Sequence, residues 1–411
     1  MAHLIVFSHL RWHFVHQRPQ HLLSRLAPHH PVIYVEEPVE THGLPHLEVI
    51  EVMPHVTVLR PHTPVHTPGF HDEQFELLEP LLAQYLAEQD IDEAVAWFYT
   101  PMALPLMQVF KPLAVVYDCM DELSAFKGAP RVMRQQEYAL LRSADVVFTG
   151  GLSLYEAKRE LHPHVHCLPS AVDVRHYAPT SMREDAPEMT AAMALQGKLP
   201  HPMIGFFGVI DERMNLELIA SLADAHPEWS IVLVGPVAKI DHASLPRRAN
   251  IHWLGMQPYA LLPYLVKDWD LCMMPFALNE ATQYISPTKT LEYLAAEKPV
   301  VSTSIRDVVA LYGDVVYVAK NPGHFIQVCE GVLQQSDAER ARYLSEAACC
   351  VTCFSWDDTA KAMRELIEAA MQRRQQAWSG SSRRRAMPPA SLRAMRGNPR
   401  GDEGKLGFTA G

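Results

Sequence analysis

Lys289 and Glu292 stand three residues apart in the run Ser286-Pro-Thr-Lys-Thr-Leu-Glu-Tyr293. On a helix that spacing sets an ammonium and a carboxylate side by side on one face. Ser286 suits an N-cap and Pro287 the first helical position, so Thr288 and Lys289 fall in the opening turn. A helix start with free N–H groups and a lysine is an anion site. A carboxylate one turn on can accept hydrogen bonds from vicinal hydroxyls. Together these fit a ligand with a phosphate first and hydroxyls next. A capped helix carrying a solvated ion pair, worth about 0.3 kcal/mol, accounts for the same spacing. The rest of the chain has to separate the two.

Other residues could serve the same chemistry. Gly208-Val-Ile-Asp-Glu-Arg213 offers a glycine for close backbone approach and an arginine fork for phosphate oxygens. Gly235-Pro236 turns the chain, and Leu254-Gly255-Met-Gln-Pro-Tyr259 could present backbone groups to a base edge. Towards the N-terminus, Arg11, Trp12 and Arg18 follow an apolar run: Trp12 offers a stacking surface, and Arg18 could reach a phosphate or hydroxyl. Trp12 could equally anchor its loop by packing. Asp118 and Asp121 are candidates to orient an incoming hydroxyl or take its proton, although Asp118 could instead cap a turn.

These residues sit at the ends of short apolar strands. Strands are expected near 3–7, 32–36, 56–59, 94–98, 114–117, 145–149 and 165–168, with helices near 19–26, 72–88, 130–142 and 153–161. Residues 178–202 contain four prolines and scattered charges and read as a linker. Alternation restarts with strands near 203–207, 230–234, 251–253, 271–274, 299–302 and 315–318. Ser355-Trp-Asp-Asp358 then opens a last helix. The expected fold is α/β with two Rossmann-like domains facing a central cleft. Residues 1–177 form the first domain, 178–202 the linker, 203–355 the second domain, and 356–378 a closing C-terminal helix packed back on the first. At 411 residues the chain exceeds one core's usual limit of about 300, which agrees with two domains.

Four of these segments, Gly-Phe-Phe-Gly at 205–208, Val-Leu-Val-Gly-Pro at 232–236, Trp-Leu-Gly-Met-Gln-Pro-Tyr at 253–259 and Pro-Thr-Lys-Thr-Leu-Glu-Tyr-Leu-Ala at 287–295, resemble family-4-type glycosyltransferases of the GT-B architecture. Trp12-His-Phe-Val-His-Gln-Arg-Pro-Gln20, Tyr117-Asp-Cys-Met-Asp-Glu122 and Leu168-Pro-Ser-Ala-Val-Asp173 resemble the bacterial teichuronic-acid or cell-surface-polysaccharide subgroup. The likeness spans about residues 3–372. It implies transfer of a sugar from a nucleotide-diphosphate donor to a hydroxyl of a cell-surface glycan or lipid-linked acceptor. Arg213 and Lys289 would hold the diphosphate, Glu292 the ribose, and the first domain the acceptor. No metal or other cofactor is implied. Retention of anomeric configuration is the family expectation. Many relatives carry a glutamate eight residues before Glu292, where this chain has Tyr284. A sugar-nucleotide epimerase of the same architecture and a non-catalytic GT-B-like binding protein are the alternatives.

Composition narrows the classes further. The apolar fraction of 48% supplies packed cores, and no run reaches the length of a membrane helix. The start reads as a first strand rather than a signal peptide, and seven unevenly spaced cysteines fit a reducing cytoplasm. A net charge of −11 argues against nucleic acid as a partner. From Ser379 onward seven Lys/Arg face two acids, a net of +5 that leaves −16 on the body. That tail is expected to be disordered, and it could touch anionic lipid at the inner membrane face. His162, His164 and His166 alternate on one strand face, but no carboxylate or cysteine completes a metal set.

Overall fold

The computed structural model describes residues 1–386, with side chains through Trp378. The first domain is built on nine strands: β1 (His3–Ser8), β2 (Val32–Glu36), β3 (Val39–Glu40), β4 (His46–Met53), β5 (Val56–Thr63), β6 (Glu93–Phe98), β7 (Lys111–Cys119), β8 (Val146–Thr149) and β9 (Val165–Cys167). Their order is β3-β5-β2-β1-β6-β7-β8-β9, parallel throughout, with β4 antiparallel on the flank of β5. The central strand explains itself. In β1, Leu4 and Val6 enter one core cluster while Ile5 and Phe7 enter the other, so both faces are covered and the four residues between His3 and Ser8 are all apolar. Helices α1 (Arg18–Leu26), α2 (Asp72–Glu88), α3 (Met133–Ser143) and α4 (Leu152–Lys158) supply that cover.

The chain passes through α5 (Val174–Tyr177) and α6 (Pro187–Gln196) into the second sheet. The segment expected to be a linker is therefore partly helical and packed. Ala192 and Gln196 are buried, and the Gln196 amide donates to Leu265 O at 2.7 Å while accepting from Trp269 Nε1 at 3.1 Å. Its prolines mislead because Pro187 occupies the first turn of α6, where no N–H is needed.

The second sheet holds β10 (Met203–Phe207), β11 (Ser230–Val234), β12 (Ile251–Gly255), β13 (Leu271–Met274), β14 (Val300–Thr303) and β15 (Tyr317–Ala319). Its order is β12-β11-β10-β13-β14-β15, all parallel. Around it lie α7 (Leu216–Ala225), α8 (Leu262–Lys267), α9 (Lys289–Ala295), α10 (Arg306–Tyr312), α11 (Pro322–Leu333) and α12 (Asp337–Val351). Strand order reverses between β1 and β6 in one sheet and between β10 and β13 in the other. The loops leaving the carboxyl ends there are the places such sheets keep for ligands.

The last helix, α13 (Trp356–Ala386), returns to the first domain. Trp356, Ala360, Met363, Ile367 and Ala370 are buried in the same cluster as Leu4, Val6 and Trp97. Steps of four, three, four and three residues put these five on one helix face. The backbone helix continues past 378, where the basic tail was expected to begin, and residues 387–411 lie outside the described ones. No helix among the described residues is long and apolar enough to cross a membrane.

Candidate functional site

Two cavities open between the domains and share a wall. The first, about 250 Å³, is lined from the second domain by Gly208, Gly235 and Met256–Tyr259, and from the first by Trp12–His16. The second, about 130 Å³, is lined by Asp121 and Met120 on one side and by Arg213, Ser286, Pro287 and Thr288 on the other. Lys289 and Gly208 belong to both.

The glycines explain how backbone comes this close. Gly235 has φ +147°, and a Cβ there would stand 1.8 Å from Gly208 O, so only glycine fits. Gly255 acts one step back: its carbonyl accepts from Gly235 N at 2.8 Å, while Met256–Tyr259 provide the wall. Ser286 does not cap α9 as the sequence suggested. The N-cap is Thr288, in αR conformation and with no side-chain cap, which pushes Ser286 and Pro287 out into the cavity wall.

Lys289 and Glu292 form an ion pair, Nζ to Oε2 at 2.9 Å, and Lys289 Nζ also reaches Thr288 Oγ1 at 3.3 Å. The ammonium stands 4.9 Å above the Phe207 ring. The pair is not solvated: side-chain exposure is 15% for Lys289 and 6% for Glu292. Glu292 lines neither cavity, so its direct role is to hold Lys289. Arg213 is gripped by Asp211, Nη2 to Oδ2 at 2.7 Å with Nε on both carboxylate oxygens. Its guanidinium also lies 5.5 Å from the Phe126 ring of the first domain. Across the second cavity, burial raises the pKa of Asp121, and Arg213 and Lys239 pull it back only in part.

The first domain's expected residues separate into two groups. Trp12 lines the first cavity, and its ring also packs edge-on against Tyr34 at 5.1 Å. Arg11 points elsewhere, to Glu36 at 3.1 Å and to the carbonyls of Glu37 and Pro38. Arg18 and Asp118 are 2% and 0% exposed and bind each other. Arg18 Nε reaches both carboxylate oxygens at 3.1 Å, and Nη1 donates to Leu168 O at 2.9 Å. The buried pair braces the first domain, and Arg18 also lines the second cavity, where one N–H on each of Nη1 and Nη2 is not used by these partners.

Sequence reading missed a stack that crosses the cleft. His176 lies on Tyr259 at 3.9 Å, Tyr259 on His16 at 4.2 Å, and His16 meets His21 edge-on at 4.5 Å. His21 stacks on Trp356 of α13 at 4.9 Å. Burial drives His16 down to about 4 and His21 to about 2, with neighbouring cationic groups adding to both. Their spacing, His16 and His21 in one segment and partners 160 or more residues on, left no local signal. The His162–His166 trio is used up locally, with His162 Nε2 near Ala144 O at 3.1 Å. No group of three or more His, Cys, Asp or Glu is placed to hold a metal among the described residues.

Comparison with known proteins adds the following. Residues 201–335 match the family model described as glycosyl transferases group 1. A Bacillus subtilis (strain 168) protein, provisionally named a teichuronic acid biosynthesis glycosyltransferase, is 27% identical over 284 residues, covering 64% of this chain and 69% of its own. Among solved structures, sucrose-phosphate synthase from Thermosynechococcus elongatus superposes with a TM-score of 0.69 at 14% identity, over 90% of this chain and 99% of that one. Anabaena Alr3699/HepE, solved with UDP and glucose, gives 0.63 at 14% over 90% and 100%. These structural likenesses establish the two-domain fold.

Proposed function

We propose that this chain, a GT-B glycosyltransferase whose second domain is of the group 1 type, moves a glycosyl unit from a nucleoside diphosphate to a hydroxyl of a cell-surface glycan or lipid-linked precursor. The observation that carries the reading is the position of Lys289 at the junction of two cavities. The first, with its glycine walls and the Met256–Tyr259 turn, has the size and backbone lining for a nucleoside. The second, with Arg213 beside Lys289 and Asp121 opposite, suits the diphosphate, the sugar and the acceptor hydroxyl. One structural neighbour was solved with UDP-2-fluoro glucose and another with UDP and glucose, so uridine donors are the first to test. The provisional name of the Bacillus relative supports a surface polymer as the destination.

In the transfer, the acceptor oxygen bonds to the anomeric carbon as the bond from that carbon to the phosphate oxygen breaks. The electron pair leaves with the phosphate, whose charge grows through the transition state. Cations and N–H dipoles fixed beforehand stabilise that state more than the ground state. Arg213 and Lys289 supply them, and transfer is proposed to need no metal. Arg213, held by Asp211 through Nε and Nη2, turns its Nη1 to the diphosphate, and Glu292 keeps Lys289 aimed at it. Asp121 orients the acceptor hydroxyl, whose proton passes to the departing phosphate oxygen on the same face, giving retention. The acceptor is reached from the cytoplasmic side, with at most peripheral contact with the membrane.

Incubation with UDP- and GDP-sugars, with and without chelator, tests the reading. Nucleotide release that depends on an acceptor supports transfer. An altered sugar with no release points to an epimerase, and binding without either change to a non-catalytic protein.

A further inference from the structure

The start of α4 in the first domain lies against the second domain with no space between them. A Cβ on Gly151 would stand 2.2 Å from Asp307 Oδ2 and 2.6 Å from Ser286 Cβ. Gly151 has φ −167°, extended backbone that any residue adopts. What excludes a side chain there is the other domain, not local conformation.

Asp307 is 1% exposed, and its Oδ1 accepts the Ser153 N–H across the domain boundary at 3.0 Å. Its Oδ2 is buried and meets Ser286 and the start of α4 only at the edge of hydrogen-bond geometry. A carboxylate taken out of water and imperfectly paired is unfavourable, and the one well-formed bond it makes is to the opposite domain. The next residue back, Arg306, pairs with Glu156 of the same α4. Ser286, which shares the Gly151 contact, also lines the second cavity beside Lys289. Asp307 thus stands behind the loop that shapes the anion site and holds the first domain against it.

We infer that Asp307 is a positioning residue: a latch that couples domain closure to the geometry of the Ser286–Lys289 loop, with Gly151 as the seat it closes on. The inference rests on the transfer reading above. A loop braced only in the closed state brings Lys289 to its working position when water has been excluded, which limits loss of the donor to hydrolysis. Asp307 also lies in the first turn of α10, where an acid stabilises a helix on its own account. Gly151 separates these roles, because it belongs to the other domain and leaves α10 untouched.

The test compares the full chain with Asp307→Ala, Asp307→Asn and Gly151→Ala, using small-angle scattering, thermal melting and UDP binding. Asp307→Ala and Gly151→Ala are expected to enlarge the radius of gyration and weaken UDP at least tenfold. In Gly151→Ala the melting temperature should stay within a few degrees of wild type. Asp307→Asn, whose side-chain oxygen still accepts from Ser153, should recover most of the affinity and the compact radius. An unchanged radius and unchanged UDP affinity in Gly151→Ala overturn the latch, as does an Asp307→Ala effect confined to melting. If the wild type binds neither UDP nor any UDP-sugar, it is the transfer reading that fails. The radii of the Gly151 and Asp307 variants still decide the latch.

Discussion

Lys289 is the residue on which the site turns, and its surroundings set what its loss should do. Removing the ammonium takes away a cation at the junction of the cavities and leaves Glu292 buried without a partner. Lys289→Ala is expected to raise the dissociation constant for a nucleoside diphosphate at least tenfold and to lower stability by about 1–3 kcal/mol. Titration calorimetry and thermal melting report the two separately. Unchanged nucleotide affinity would remove Lys289 from the donor site. Arg213→Ala should instead act on turnover, lowering kcat by about 100-fold, since its fork meets charge that grows in the transition state. Arg18 gives the opposite case. Breaking its buried pair with Asp118 by Arg18→Ala is expected to lower stability by about 3–5 kcal/mol. A variant that melts like wild type but binds acceptor poorly would place Arg18 in the acceptor site instead. The sequence shows the type of each of these residues but not the partner that takes it up. Arg11 and Arg18 read alike along the chain, and only the fold brings Glu36 and Asp118 to them.

At the scale of elements, strands in parallel sheets are continuous apolar runs, so β1, β10, β11 and β13 were legible along with the loops that follow them. What was not legible depends on which element lies opposite. The β4 strand mixes Glu48 and Glu51 with its apolar residues because none of its positions is fully buried, and α6 was hidden by Pro187, which serves its first turn. The stack linking His176, Tyr259, His16, His21 and Trp356 joins four segments that share no sequence neighbourhood. It has a measurable consequence. His16 and His21 titrate near 6.5 when unfolded and are pushed to about 4 and about 2 by burial, with Arg25 and Lys289 nearby adding to the effect. Below pH 6.5 the unfolded chain binds protons that the folded chain refuses, so stability falls as pH drops from 6.5 towards 4. Each imidazole contributes about 1.4 kcal/mol per pH unit over that window. His21→Phe keeps a ring against Trp356 and removes one titration. Its melting temperature should therefore fall less steeply between pH 6.5 and 5 than the wild type's. Parallel curves would mean that His21 is already protonated in the fold.

For the whole molecule, the chain crosses between domains twice, once through residues 172–202 and again near 355, where Val172 bridges Ser355. The second crossing delivers α13 to complete the core of the first domain, so that domain is not closed until the last helix is in place. Trp356 ties this helix to the stack through His21 and sits 2% exposed among Leu4, Val6 and Trp97. Trp356→Ala should lower the stability of the first domain by about 3–5 kcal/mol, the usual loss for a large aromatic in a packed core. The second domain has its own sheet and its own core, and none of that core is lost. Two domains weakened unequally need not melt together. Calorimetry of the variant is therefore expected to split one transition into two, the lower one shifted down and the upper one unmoved. Nucleoside diphosphate, proposed to bind mainly to the second domain, should raise the upper transition more than the lower. A single transition displaced as a unit would show that α13 binds the two domains into one cooperative body, with its packing felt as far as the β10–β13 loops.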